Sequence, residues 1–76
     1  MDVTKLIERL PTEVKNEIID FCDVGTIKGP AMRVTLDSVL DDAQVEKLKK
    51  IRGVLYVGVC HYRNAPEIRK TYFYIK

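Results

Sequence analysis

The 76-residue chain has no tryptophan, a single histidine, two cysteines and four glycines. Each scarcity excludes a class of protein. Two cysteines, Cys22 and Cys60, are too few for a disulfide framework and lack a CxxC-like spacing. With His61 they also fall short of the four N/S ligands, or three plus water, that zinc takes. No apolar run approaches the roughly 20 residues needed to cross a bilayer, and the amphipathic start MDVTKLIERL bears charges of both signs, unlike a signal peptide. The expectation is one domain over residues 1–76, reading as cytoplasmic, with no cofactor, no metal and no membrane association.

Acidic residues are scarce in one half only. From Met1 to Glu46 ten acids face five bases; from Lys47 to Lys76 eight bases face Glu67 alone. Such a dipolar chain suits docking on a charged partner, here one with an acidic surface.

Val3, Leu6, Ile7 and Leu10 recur at helical spacing. Pro11 ends that helix and opens another, in which Val14, Ile18, Phe21 and Cys22 make an apolar stripe up to Gly25. Leu10 to Phe21, LPTEVKNEIIDF, resembles the start of an F-box over those 12 residues, the helical module that docks on a ubiquitin-ligase adaptor. The chain then departs from the pattern, because a loop and strand follow where an F-box continues in helices. Gly25 to Pro30, GTIKGP, is read as loop; its spacing is not that of a phosphate-binding P-loop. AMRVTL alternates as a half-buried strand, with Met32, Val34 and Leu36 to one side and Arg33 and Thr35 to the other.

A third helix has well-marked ends. Asp41 is its N-cap, Gln44 the capping-box partner, Leu40 and Val45 the staple pair, and Gly53 the stop. A hairpin closes the chain, with Asn64, Ala65 and Pro66 as its turn. The order α-α-β-α-β-β predicts an α+β domain: a three-stranded, mainly antiparallel sheet packed by helices, half of a split βαβ arrangement.

The hairpin holds all four tyrosines. Residues facing each other across it must share a side of the sheet. Pairs whose numbers sum to 130 place Tyr56 opposite Tyr74, Gly58 opposite Tyr72, Cys60 opposite Lys70 and Tyr62 opposite Ile68. Leu55 then meets Ile75 and Val57 meets Phe73 on the aliphatic side, with Val54 among the tyrosines. Two arrangements remain open. Either the first two helices cover the tyrosine side and make it a second core layer, or that side reaches solvent. Arg33, Lys70 and Lys76 on it favour exposure, because cations are awkward to bury.

Chemistry has little purchase here. Cys60 and His61 are strand neighbours pointing to opposite sides, so they form no nucleophile–base dyad. Asp37, Asp41 and Asp42 sit at a strand end and helix start without a cation-binding loop. The expectation is a non-enzymatic inhibitor or adaptor, such as viruses and mobile elements encode. It would bind a protein partner through Tyr56, Tyr62, Tyr72, Tyr74, Arg33, Lys70 and Lys76. The alternative is a single-stranded nucleic-acid (RNA) binder, whose aromatics stack bases. A homodimer through a sheet edge fits the same architecture.

Overall fold

A computed structural model describes residues 3–24 and 31–76; the loop expected at Gly25 to Pro30 lies outside them. Seven elements follow in the order α1 (Val3–Glu8), α2 (Thr12–Glu17), β1 (Ile18–Asp23), β2 (Met32–Leu36), α3 (Asp42–Lys49), β3 (Val54–Tyr62) and β4 (Ala65–Ile75). They form an α+β domain with one antiparallel sheet ordered β1-β2-β4-β3. Because β4 lies antiparallel between β2 and β3, those two run parallel and are joined by α3. This is the split βαβ unit expected from the sequence.

The sheet has four strands where three were expected. The second helix stops at Glu17, and Ile18–Asp23, IIDFCD, pairs with β2 instead of continuing the helical stripe. Two adjacent isoleucines and a phenylalanine suit a pleated surface better than a helix. The deciding factor is tertiary, because β2 has an edge to be paired. The last four residues of the F-box-like stretch, Ile18 to Phe21, are thus strand rather than helix.

The fourth strand also explains how one face holds every helix. Four strands span about 19 Å, while helices of six, six and eight residues are each only about 9–12 Å long. Leu6, Leu10 and Val14 from α1–α2, with Leu48 from α3, share one core cluster with Val34, Leu36, Phe73 and Ile75 of the sheet. The Arg9 guanidinium ties the first hairpin to the far edge, donating to the carbonyls of Arg52 (3.2 Å) and Lys76 (3.0 Å).

The start of α3 is as expected, but the helix stops at Lys49 with Lys50 as its C-cap, short of the expected stop at Gly53. Asp41 Oδ1 accepts from the Gln44 N–H at 2.8 Å, and Gln44 Oε1 accepts from the Asp41 N–H at 3.2 Å. Gly53 has φ +89°, and a Cβ there would collide with the Lys76 carbonyl, so the left-handed turn into β3 needs glycine. Thr71, buried beneath the α3 entry, donates to Ser38 O (2.8 Å) and accepts from the Leu40 N–H (3.0 Å).

The β3–β4 register follows the predicted sum only from Gly58↔Tyr72 to His61↔Arg69. Nearer the α3 end the pairs are Val54↔Ile75 and Leu55↔Tyr74, so Tyr56 and Val57 together stand against Phe73. This bulge shifts the register by one. The expected pairs Tyr56–Tyr74, Leu55–Ile75 and Val57–Phe73 are therefore not ladder partners. Val54 takes the core position expected of Leu55 and packs on the aliphatic cluster, while Leu55 stands across from Tyr74. At the other end Tyr62 pairs with Ala65 rather than Ile68, and the turn is Arg63–Asn64. Ala65 and Pro66 belong to β4. Pro66, with no N–H to give, sits in the stretch where the ladder is interrupted.

No helix among the described residues is long and apolar enough to cross a membrane.

Candidate functional site

The sheet side opposite the helices is built in rows by the pairing. One row runs Cys22, Arg33, Tyr74, Leu55; the next runs Asp20, Thr35, Tyr72, Gly58. Partners in a row share a side. The tyrosine side is thus free of the helices' buried residues, all of which belong to the cluster on the opposite side. Of the two arrangements left open by the sequence, the structure has the uncovered one.

Three of the four tyrosines form a ladder. Tyr56 meets Tyr74 edge-to-face with ring centroids 6.0 Å apart, and Tyr74 meets Tyr72 in the same way at 6.0 Å. Such pairs are worth about 0.5–1.5 kcal/mol beyond area burial. Tyr72 lies across bare Gly58, where an added Cβ would come within 3.0–3.1 Å of its ring and hydroxyl. The Arg33 guanidinium stacks on Tyr72, 4.6 Å from the ring centroid, a cation–π contact. Its Nε is sealed from solvent and has no hydrogen-bond partner among the described residues. Packed this way, Tyr72 and Tyr74 are half-buried, whereas Tyr56 keeps 66% of its surface exposed.

Tyr56 reaches the ladder through strain. Its φ is +53°, the left-handed region that side chains other than glycine's rarely enter. This is the residue that inserts the bulge, and the backbone twist there keeps its ring beside Tyr74 although it has lost Tyr74 as ladder partner.

The remaining predicted residues are placed differently. Tyr62, 52% exposed, stands at the distal end of the hairpin and borders a groove of about 240 Å³ with Asp20, Cys22, Arg33, Cys60 and Lys70. Lys70 is not a free cation: its Nζ donates to Asp37 Oδ1 at 2.6 Å and Asp37 O at 2.9 Å. The Asp37 hydrogen bond, with its charge, holds the Lys70 pKa above the ordinary lysine value, against the opposing cost of desolvation. Lys76 is exposed beside Gly53, whose carbonyl accepts its N–H at 3.1 Å.

Sequence reasoning missed the contribution of β1. Asp20 and Cys22 face the same side as the tyrosines, and both border the groove. The available signal was the β-branched pair Ile18–Ile19 followed by Phe21, which competes with the helical spacing from Val14. Cys22 and Cys60 are free thiols, the one exposed and the other half-buried. Cys60 pairs with Lys70 and His61 with Arg69, next to the irregularity at Tyr62, and Cys60 and His61 both border the groove. Among the described residues no group of histidine, cysteine and carboxylate side chains could hold a metal ion.

The face therefore offers an aromatic ladder, one stacked guanidinium and an open groove bordered by Asp20 and Lys70. Comparison with family models, curated proteins and solved structures finds no match to this chain.

Proposed function

We propose that the chain is a small non-enzymatic binding module, an inhibitor or adaptor, that docks on a protein partner through Tyr56, Tyr72, Tyr74 and Arg33. The observation that carries this reading is the aromatic ladder on the helix-free side of the sheet. Tyrosine joins a large apolar body to a wet hydroxyl, which suits a surface exposed when free and covered when bound. Rings already braced against each other lose little side-chain entropy on binding. The excess of bases after Lys47 steers the module toward an acidic partner.

The electrostatics of the face favour protein over nucleic acid. Lys70 is engaged by Asp37, and Asp20 lies on the same side, so carboxylates sit where a phosphate backbone would run.

The test is the double substitution Tyr56→Ala/Tyr74→Ala in an affinity capture from the native host lysate, with and without nuclease. The expected outcome is a folded variant that loses the captured protein by more than about tenfold, as truncating two hot-spot aromatics does. Capture undiminished in a folded double variant overturns the assignment. Capture abolished by nuclease, with steep salt dependence, transfers the face to single-stranded nucleic acid.

A further inference from the structure

The strand order converts the charge asymmetry of the sequence into an asymmetry of edges. β1 forms one border of the sheet and β3 the other, and neither has a strand partner on its outer side among the described residues. From Glu17 to Asp23 the β1 border carries three carboxylates and no base. β3 has no lysine, arginine or carboxylate in its nine residues, and no proline. From Arg52 to Lys70 its hairpin carries four cations against Glu67. Edge strands are commonly blunted by charge, proline or brevity, because their free N–H and C=O groups invite another strand. β3 has a bulge near one end and none of these other protections.

Exposed apolar side chains gather at the same two borders. Ile19 (49% exposed) and Phe21 (47%) are on β1; Tyr56, Val59 and Tyr62 are on β3. Val39 stands beside Val57 and Val59 in a cleft on the helix side of β3.

Like edges do not suit each other. An antiparallel β1–β1 contact sets acids against acids. An antiparallel β3–β3 contact centred on Gly58 brings Arg52 of each copy next to Arg63 of the other. Opposite edges match in charge and in apolar content. We propose that this chain self-associates head to tail, the acidic β1 border of one copy pairing with the uncharged, cation-flanked β3 border of the next. Such a contact is heterologous, so every assembly keeps one free β1 edge and one free β3 edge, and can add further copies. It uses strand edges rather than tyrosine rings, and only Tyr56 of β3 belongs to both sites.

Two variants at exposed positions separate the edges: Asp20→Lys/Asp23→Lys on β1, and Val59→Glu on β3. Sedimentation equilibrium from micromolar to millimolar protein is expected to show the wild-type mass rising with concentration. Raising salt from about 0.05 to about 0.5 M should weaken the association about tenfold, as opposed charges are screened. Each variant alone should remain monomeric, while an equimolar mixture forms a one-to-one dimer that grows no further, because each variant retains the edge the other lacks. A wild-type chain monomeric at millimolar concentration overturns the proposal. So does a dimer that survives in either variant, which is two-fold pairing. Should a variant fail to fold, dilution of the wild type followed by amide NMR shifts decides: β1 and β3 amides must move together, and movement confined to one edge refutes head-to-tail contact.

Discussion

Adjacent residues of β4 live in different surroundings. Thr71, Phe73 and Ile75 are buried beneath the helices, while Lys70, Tyr72 and Tyr74 face the other way and rest on one another, on Gly58 and on Asp37. One side is closed by elements distant in sequence; the other is finished by its own side chains. Stability is thus concentrated on the helix side, and the open side has been left to order itself through ring contacts and a salt bridge. Substitution there is expected to spare the fold, which is what the proposed recognition role requires.

The sharpest way to break this contrast is to truncate neighbours. Phe73→Ala, at a fully buried site, is expected to cost about 3–5 kcal/mol, a large share of the stability of so small a domain. Tyr72→Ala, one residue away, loses ring contacts and partial burial and should cost about 1–2 kcal/mol. Urea unfolding of the pair measures the difference; equal costs would mean that the tyrosine side is a second core.

A finer probe is pH. With its folded pKa raised by Asp37, Lys70 contributes stability that is fully present below the unfolded lysine value and is lost as pH rises through the folded one. Unfolding followed upward from neutral pH should therefore show a loss in the alkaline range that Asp37→Asn diminishes. An unchanged alkaline profile in Asp37→Asn removes the pair from the account of this face.

The smallest effect is expected at Tyr56→Gly. Glycine relieves the left-handed backbone but adds unfolded-state entropy, so the net change in stability should lie within about 1 kcal/mol. Loss of partner capture at unchanged stability separates the function of this ring from its structural role.

Alternation made most of the open face legible. Arg33, Tyr72 and Tyr74 needed only the period of two, and Asp41 with Gln44 located the start of α3 to the residue. What stayed hidden depended on long-range demands. Ile18, Phe21 and Cys22 satisfy helical spacing from Val14, and only the unpaired edge of β2 converts them to strand. The bulge was missed because its own residues, Tyr56 and Val57, carry no turn signal, and alternation already accounts for Gly58 beside them as the partner of Tyr72. A constant sum of paired residue numbers assumed an uninterrupted ladder, and Tyr56 interrupts it. Tyr62 was misplaced for a related reason, since the tight Arg63–Asn64 turn leaves Pro66 to Ile68 outside the pairing.

The extra residue at Tyr56 has a dynamic corollary. Flattening it would slide the first part of β3 by one position, seating Leu55 where Val54 now packs and straightening the tyrosine backbone. The Lys76 N–H bound to Gly53 O, together with the left-handed Gly53, latches the hairpin against that slip. The Arg9 guanidinium, bound to the carbonyls of Arg52 and Lys76, holds the same end, so the present threading is secured from both sides of the ribbon's root.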